Sequence, residues 1–335
     1  MSFLKVENLS KHYGGQRRLA DWVTGNKPFT VRAVNNVSLT VEKGEILGLI
    51  GESGCGKSTL GRAILRLHEP TSGRAIFDGT DLSTLDAPAL KAMRRRMQII
   101  FQDPYASLNP RRTVAEIVGL PLQLHGIASG EEARAITAKI IERVGLKPNQ
   151  MDRYPHQFSG GQRQRIGIAR ALVSNPEFIV CDEPVSALDV SIQAQIIALL
   201  QELKQEMGLT YLFISHDISV IGYLSDKVAV MYLGEIVEMG PVDAVLARPR
   251  HPYTQSLMSA VPDIDNPGKG ARVRLTGDLP SPVLPPSGCK FHTRCPLAID
   301  ICRRTAPVTE TVGPGHQAAC HRLAEGIDIS QTGAA

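Results

Sequence analysis

The chain contains the stretch Gly51-Glu52-Ser53-Gly54-Cys55-Gly56-Lys57-Ser58-Thr59, which matches the phosphate-binding pattern G-x-x-x-x-G-K-S/T. Residues 45–50 before it form a short apolar run of the kind that a buried parallel strand shows. After it, apolar residues recur at helical spacing from Leu60 to Leu67. A strand, a glycine turn and a helix in this order point backbone N–H groups at phosphate oxygens. The stretch therefore predicts a site for a nucleoside triphosphate.

Each residue type in this loop has a chemical reason to be there. The glycines let the backbone wrap closely around phosphate, Lys57 supplies a positive point charge, and the Ser58 hydroxyl can reach Mg²⁺. A chance glycine-rich turn before a helix is the alternative, and the flanking strand and helix argue against it. The predicted nucleotide-binding residues of the loop are Gly51, Glu52, Ser53, Gly54, Cys55, Gly56, Lys57, Ser58 and Thr59.

The composition is that of a globular protein rather than of a membrane-spanning one. Of the 335 residues, 43% are hydrophobic and 21% are charged, and the net charge of +4 is too small to indicate nucleic-acid binding. No apolar run approaches the roughly eighteen residues that a membrane helix requires. Charged residues follow within a few positions of Met1, unlike the start of a signal peptide. We therefore expect a cytoplasmic protein.

The remaining pattern predicts an α/β core that is interrupted by a helical insertion. Strand patterns occupy residues 3–9, 31–41, 45–50, 74–77, 97–102, 178–181, 211–215 and 228–232. Helical periodicity dominates residues 113–175, is clearest at 131–144, and returns at 191–207. Residues 14–30 are polar, contain several glycines and have no clear period, which indicates a surface excursion.

Two adjacent carboxylates end the stretch Phe178-Ile179-Val180-Cys181-Asp182-Glu183. Ligands of open α/β sheets bind at the carboxyl ends of the strands. One carboxylate there can hold Mg²⁺, directly or through water, and the next can position a water against a terminal phosphate. Two acids at the end of a buried strand would be costly without such a role. We therefore expect Asp182 to hold Mg²⁺ and Glu183 to act as the catalytic base.

A third stretch, Ser159-Gly160-Gly161-Gln162, precedes a helical pattern at residues 163–173. A Ser-Gly-Gly run at a helix start is another place where backbone amides can face an anion. Taken alone, the run is better explained as a flexible helix cap. Its position gives it more weight, because it follows the phosphate loop by about a hundred residues and precedes the carboxylate pair by about twenty.

With these three stretches, the chain from about residue 3 to residue 322 resembles the nucleotide-binding subunits of ABC transporters. The resemblance makes residues 51–59 the Walker A loop, 158–162 the signature and 178–183 the Walker B strand. It implies an α/β P-loop NTPase fold of the ABC type, with an inserted helical subdomain and a small irregular C-terminal extension. Residues 1–247 would form the ATPase domain, with the helical subdomain at about 108–175, and residues 248–335 would form the extension.

The same resemblance gives roles to residues that indicate little by themselves. Gln102 matches a glutamine that binds Mg²⁺ and senses the membrane partner, beside the implied Mg²⁺ ligands Ser58 and Asp182. His216 matches a catalytic histidine that contacts the terminal phosphate, although alone it would be a satisfied strand-end residue. Tyr13 matches an aromatic on which adenine stacks, although alone it would be a packing residue. The implied D-loop residues are Ser186, Ala187, Leu188 and Asp189.

The resemblance also implies partners. In this family the Ser-Gly-Gly of one subunit closes over the ATP held by the facing subunit. Residues 248–254 resemble the HPY segment of peptide and nickel importers, and residues 101–110 and 154–158 resemble the F-type ATPase of the dipeptide and oligopeptide group. The implied partners are a sister ATPase subunit in a heterodimer, two integral membrane permease subunits and, indirectly, a solute-binding protein. The implied location is the cytoplasmic face of the inner membrane.

Two alternatives stand beside the uptake of dipeptides or oligopeptides driven by ATP hydrolysis. Relatives also move nickel chelates, opines or glutathione, and the transported molecule never touches this subunit. A different class of ABC-type ATPase acts on the ribosome or on DNA. Those proteins usually carry two cassettes or a long coiled coil, whereas this chain has one cassette and no heptad array between Lys57 and Ser159. We therefore expect no nucleic-acid partner.

Four of the six cysteines lie in the extension, at Cys289, Cys295, Cys302 and Cys320. The proline-rich segment 262–288 has little apolar periodicity, and the tail beyond it is too small to be stable without docking or a staple. Spacings of five, six and seventeen intervening residues lack the paired C-x2–4-C knuckles of structural zinc. Four thiolates from an irregular loop suit a 4Fe–4S cluster, which the resembling importers carry in this position. Zinc and docked free thiols are the alternatives, and Cys55 and Cys181 are excluded because each lies within a nucleotide-site motif.

Overall fold

The computed structural model describes residues 2–14, 29–259 and 277–326. Most of the predicted surface excursion at residues 14–30 and of the proline-rich segment at 262–288 lies outside the described residues. The strands, in chain order, are β1 (Leu4–Gly14), β2 (Thr30–Val41), β3 (Ile46–Ile50), β4 (Ser72–Phe77), β5 (Thr80–Asp81), β6 (Met97–Ile100), β7 (Phe178–Asp182), β8 (Thr210–Ile214), β9 (Lys227–Tyr232), β10 (Glu235–Pro241), β11 (Glu310–Gly313) and β12 (His316–Ala318). The α-helices are α1 (Lys57–Ile64), α2 (Ala87–Arg96), α3 (Pro104–Ser107), α4 (Val114–Leu124), α5 (Gly130–Arg143), α6 (Gly160–Leu172), α7 (Val190–Met207), α8 (Ile218–Leu224), α9 (Val242–Ala247), α10 (Pro252–Ser259) and α11 (Asp300–Arg304).

The contacts divide the chain into two compact units, each of which is described by itself. The first consists of Met1–Leu4, Val41–Ile46 and Phe77–Ser215, and the second of Lys5–Thr40, Leu47–Ile76 and His216–Ala335. The segments of the two units alternate along the sequence. The boundary predicted between residues 247 and 248 stays a prediction.

The first unit is built on three parallel strands. β6 pairs with β7 and β7 with β8, so that Phe178 lies opposite both Met97 and Thr210. All five residues of β7 are buried, as expected for a central strand covered on both faces. Helices α4, α5 and α6 pack against one another and form the predicted helical insertion. α4 begins with a capping box, in which Thr113 and Glu116 each bind the other's backbone.

The second unit contains the phosphate-loop strand and the C-terminal strands. β3 pairs in parallel with β9, β9 is antiparallel to β10, and β10 is antiparallel to β12, which carries β11 at its outer side. β1 lies between β2 and β4 in a separate sheet. Strands β11 and β12 were not predicted in the extension, which was expected to be irregular. They are four and three residues long, and β12 is stabilised by pairing with β10, far away in the sequence.

The observed ends of two elements differ by a few residues from the predicted ends. The strand expected at residues 97–102 ends at Ile100, which leaves Gln102 in the loop beyond it. The helix expected from Leu60 begins already at Lys57, inside the phosphate-binding pattern. Among the helices of the described residues, none is both long enough and apolar enough to cross a membrane.

Candidate functional site

The predicted phosphate loop connects β3 to α1 in the second unit. Gly51 has φ 155°, and a Cβ at that position would lie 2.2 Å from the carbonyl oxygen of Met231. Gly56 has φ 111°, and a Cβ there would lie 2.0 Å from the carbonyl oxygen of Ala33. Both positions therefore require glycine. Gly56 is also the N-cap of α1, which directs the first N–H groups of the helix into the loop.

Lys57 is held across this loop by main-chain oxygens. Its Nζ donates to the carbonyl oxygen of Gly51 at 2.8 Å and to that of Glu52 at 3.1 Å. The residue is only 4% exposed, so bulk water screens the charge of its ammonium group poorly. Cys55 is buried in the same loop, and burial raises the pKa of its thiol. Ser58 and Thr59 follow Lys57 in the first turn of α1 and are half-buried.

The carboxylate pair lies in the first unit, at the carboxyl end of β7. Asp182 is the last residue of β7 and is fully buried. Glu183 follows with φ 46°, a left-handed conformation that is unusual for a side-chain-bearing residue and is frequent at functional sites. Its Oε2 accepts a hydrogen bond from Nε2 of Gln102 at 2.8 Å. The structure thus brings together two of the predicted site residues, one from the loop after β6 and one from the end of β7.

The predicted D-loop is tied to the backbone of Glu183. The hydroxyl of Ser186 donates to the carbonyl oxygen of Glu183 at 3.1 Å, and its N–H donates to the same oxygen at 3.3 Å. Ala187 and Leu188 continue this turn, and Nε2 of Gln193 donates to the carbonyl oxygen of Leu188 at 2.8 Å. Asp189 is the N-cap residue of α7. A displacement of the D-loop would therefore act on Glu183 through its main chain.

The predicted signature begins helix α6 with a capping box. The hydroxyl of Ser159 accepts from the N–H of Gln162 at 3.3 Å, and Oε1 of Gln162 accepts from the N–H of Ser159 at 3.0 Å. Ser159 is exposed, and Gly160 and Gly161 are half-buried. A Cβ on Gly161 would lie 2.5 Å from Cγ2 of Ile192. The run is thus an ordered cap whose serine lies at the surface.

Tyr13 and His216 belong to the second unit, with the phosphate loop. Tyr13 is the second-last residue of β1 and has 38% of its surface exposed, and Nζ of Lys11 lies 4.9 Å from the centre of its ring. Its ring also meets the ring of His68 edge-on at 5.8 Å. The side chain of Tyr13 is therefore only partly buried, and its role as the adenine platform stays a prediction. His216 is exposed and precedes Asp217, whose carboxylate caps α8.

A buried carboxylate organises the start of the C-terminal extension, and no sequence pattern predicts it. Glu238 of β10 is 1% exposed. Its oxygens accept from the N–H groups of Arg250 and His251 at 2.7 and 2.8 Å, and Nε2 of His316 lies 2.7 Å from Oε1. Nδ1 of His251 in turn accepts from the N–H of Tyr253, and burial lowers the pKa of His251 to about 4. A lone glutamate in a strand gives no signal of these partners, which come from distant segments.

The four cysteines of the extension converge on one small cavity. Cys289, Cys295, Cys302 and Cys320 all line it, and its volume of about 10 Å³ is close to that of a single water. The N–H of Cys289 donates to the carbonyl oxygen of Cys302 at 2.8 Å. Burial raises the pKa of Cys289 to about 11 and that of Cys295 to about 12. Within the described residues, no three His, Cys, Asp or Glu side chains are arranged to hold a metal ion.

The cysteines therefore supply a suitable donor set without the coordination geometry. Four thiols at one cavity match the number and type of ligands of an iron–sulfur cluster. The thiols would have to separate to admit one, because the cavity is so small. Cys55 and Cys181 do not line this cavity.

Comparison with protein families matches two regions of the chain. A model of the ABC transporter family matches residues 34–186, and a model described as the oligopeptide/dipeptide transporter C-terminal region matches residues 237–302. A putative peptide import ATP-binding protein of Brucella ovis is 53% identical over 319 residues, which cover 95% of this chain and 97% of that relative. The oligopeptide transport ATP-binding protein AppF of Bacillus subtilis is 53% identical over 323 residues, which cover 96% and 97%.

Solved structures give the same result for the fold. A dimeric post-hydrolysis state of the ATP-binding cassette MJ0796, bound to ADP and phosphate, is 33% identical with a TM-score of 0.62, covering 71% of this chain and 98% of that one. The protein cbiO1 from Clostridium perfringens, part of the ABC transporter complex cbiONQ, is 28% identical with a TM-score of 0.61, covering 73% and 91%.

Proposed function

Because this chain belongs to the ABC transporter family, as an F-type ATP-binding subunit of an oligopeptide or dipeptide import system, we propose specific roles for its site residues in ATP hydrolysis. Its relatives are transport proteins, so the alternative of an ATPase that acts on the ribosome or on DNA gains no support. The names of the two relatives favour peptides over nickel chelates, opines or glutathione as the solute.

Glu183 is the general base of this proposal. It accepts a proton from the attacking water, and the hydrogen bond from Gln102 to its Oε2 is the observation that carries the assignment. The left-handed backbone of Glu183 fixes the direction in which its side chain leaves β7. The role of His216 is to donate a hydrogen bond to the terminal phosphate, and its exposure leaves it accessible for that contact.

The phosphates of ATP bind the Walker A loop, residues 51–59. Lys57 and the first N–H groups of α1 supply positive charge there. Ser58, Gln102 and Asp182 would hold Mg²⁺, because hydroxyl, amide and carboxylate oxygens are its preferred protein ligands. Bound Mg²⁺ would neutralise charge that develops on the terminal phosphate. Adenine stacks on Tyr13, whose partly open ring provides the surface.

The signature serves the ATP of a facing subunit. Ser159, Gly160, Gly161 and Gln162 start a helix at the surface, where backbone amides can meet a phosphate of another chain. The similar cassette MJ0796 was solved as a dimer. As the F-type subunit, this chain pairs with a sister ATPase in a heterodimer, and Ser186 to Asp189 transmit the contact to Glu183.

The membrane partners bind around residues 102–110. Helix α3 lies there, and Tyr105 exposes 64% of its surface although the guanidinium of Arg163 stacks on its ring at 3.7 Å. A supported aromatic at the surface suits the docking of a short helix from a permease. In this proposal the subunit works at the cytoplasmic face of the inner membrane, where it binds two permease subunits. It reaches the solute-binding protein only through the permeases, and no nucleic acid takes part.

The four cysteines of the extension hold a 4Fe–4S cluster in this proposal. Convergence of Cys289, Cys295, Cys302 and Cys320 on one cavity supports it, as does the absence of the paired knuckles typical of zinc. The role of the cluster is structural, since the short extension has little core of its own.

Transport by the assembled importer tests the catalytic assignment. The Glu183→Gln variant, expressed with its sister ATPase and permeases in membrane vesicles, should bind ATP like the parent. Its ATP hydrolysis should fall by about 10²-fold or more, because the proton acceptor is removed, and peptide uptake should fall with it. Hydrolysis at the parental rate would show that Glu183 is not the base.

A further inference from the structure

The carboxylate of Glu52, in the phosphate loop, is held by an arginine of the cysteine-bearing extension. Nη1 of Arg294 lies 3.0 Å from Oε1 and 2.9 Å from Oε2 of Glu52. The Arg294 side chain is 8% exposed and that of Glu52 is 25% exposed, so water screens this ion pair far less than a surface pair. Removal of one partner would leave a poorly hydrated charge without its counterion, which is costly.

The main chain of Glu52 is held as well, by the tyrosine of the HPY segment. The N–H of Glu52 donates to the phenol oxygen of Tyr253 at 2.9 Å. Tyr253 is fully buried, and its own N–H donates to Nδ1 of His251 at 3.0 Å. The peptide plane between Gly51 and Glu52 is therefore fixed by a side chain about two hundred residues further along the chain.

Both holders are anchored in one aromatic cluster. Phe291 is 1% exposed, and its ring centre lies 5.4 Å from that of Tyr253 and 5.3 Å from that of Tyr232. The N–H of Arg294 donates to the carbonyl oxygen of Phe291 at 3.0 Å, which closes the turn that presents the guanidinium. Since Arg294 and Tyr253 share this support, the amide and the carboxylate of Glu52 are both held by residues of one packed aromatic cluster.

We propose that Arg294 and Tyr253 are positioning residues for ATP binding, which fix the phosphate loop at Glu52 before the nucleotide arrives. The proposal rests on the proposed role of residues 51–59 in binding ATP. A loop that is already ordered loses less conformational freedom on binding, so its affinity is higher. Neither residue acts on the reacting atoms, so loss of either holder changes the affinity for ATP and leaves hydrolysis of bound ATP unchanged.

The first test measures the dissociation constant of ATP for the full chain by titration calorimetry. Arg294→Ala should raise it about tenfold, the effect of losing one charge-assisted contact. Arg294→Lys, which keeps the charge, should recover part of that loss. The matched control is Arg304→Ala, because Arg304 is an exposed arginine of the same extension, and this variant should bind like the parent.

A double-mutant cycle separates positioning from a general loss of structure. Glu52→Ala and Arg294→Ala should each weaken ATP binding, and the double variant should be no weaker than the worse single variant. Tyr253→Phe keeps the buried ring and removes only the acceptor for the Glu52 amide, so it should fold like the parent and bind ATP several-fold more weakly. In the assembled importer, kcat at saturating ATP should stay within about twofold for Arg294→Ala and Tyr253→Phe.

Lys57→Ala distinguishes failure of this inference from failure of the proposed loop function. If Lys57→Ala binds ATP as tightly as the parent, residues 51–59 do not bind the phosphates of ATP, and the proposed function of the loop is wrong. If Lys57→Ala loses ATP while Arg294→Ala and Tyr253→Phe bind like the parent, the loop binds ATP without these holders and the inference is wrong. Additive effects of Glu52→Ala and Arg294→Ala would also overturn it.

Discussion

Nε2 of Gln102 donates to Oε2 of Glu183 at 2.8 Å, which links the proposed sensor of the membrane partner directly to the proposed base. The two residues reach each other because β6 and β7 are adjacent parallel strands that end at the same edge. If the permeases bind around residues 102–110 as proposed, the side chain of Gln102 would connect that contact to Glu183.

Removal of that amide should impair hydrolysis more than binding. In the assembled importer, we expect Gln102→Ala to lower kcat about tenfold or more, with the affinity for ATP within a few-fold, because it removes an orienting contact to the base. Steady-state phosphate release and ATP titration measure the two quantities. Gln98→Ala is the control, since Gln98 lies in β6, just before the loop of Gln102, and its amide donates to the carbonyl oxygen of Arg94 instead.

Two glycines of α6 provide a matched pair for the signature. Gly161→Ala places a Cβ 2.5 Å from Cγ2 of Ile192 and should displace the start of the helix, whereas Gly167 has no atom within 4 Å of the added Cβ. We expect Gly161→Ala to abolish most ATP hydrolysis by the dimer while ATP still binds the variant's own phosphate loop. Gly167→Ala should be as active as the parent.

The activity of the isolated subunit provides a second test of the signature. The isolated subunit should be a weak ATPase, because its site lacks the signature of a facing subunit. Strong hydrolysis by dilute monomer, or full activity of the Gly161→Ala dimer, would show that the signature does not complete a site across the interface.

Burial of His251 predicts a loss of stability in mild acid. The pKa of His251 is lowered to about 4 in the folded protein, from about 6.5 when unfolded, so the unfolded chain binds the proton more readily. The contribution of neutral His251 to the free energy of unfolding is complete above about pH 6.5. It is lost as the pH falls to about 4, and the loss amounts to up to about 3 kcal/mol.

Urea titrations followed by circular dichroism measure this pH dependence. His251→Asn does not titrate but can still accept from the N–H of Tyr253, so its free energy of unfolding should vary less between pH 6.5 and pH 4 than that of the parent. His156→Asn, at an exposed histidine, should leave the profile unchanged. Identical profiles for the parent and His251→Asn would contradict the prediction.

Anaerobic purification tests the cluster. We expect a brown protein with broad absorption near ~400 nm and about four irons per chain, as four thiolates can hold. Cys302→Ser should lower the iron content, because Cys302 lines the shared cavity, whereas Cys181→Ala should keep it, because Cys181 does not. Stoichiometric zinc without iron under these conditions would refute the cluster.

The local parts of the site could be predicted from the sequence, and the long-range parts could not. The order of strand, glycine turn and helix around Lys57 is encoded in consecutive residues, as is the strand that ends at Asp182. By contrast, the contact of Arg294 with Glu52 joins residues more than two hundred positions apart. Its charges have no distinguishing pattern, so only the folded chain shows which pair meets. The left-handed backbone of Glu183 is likewise imposed by its surroundings, since glutamate has no preference for it.

Pairing with β12 makes β10 an internal strand of its sheet instead of an edge strand. By pairing Gln317 and Ala318 with Met239 and Glu238, the tail turns the last strand of the ATPase sheet into an internal one. A chain cut before residue 316 would bare the hydrogen-bonding groups of β10, which could then be matched by a strand of another molecule. The tail that contains the cysteines thus covers the edge of β10, and we expect shortened versions of this subunit to be more prone to aggregate.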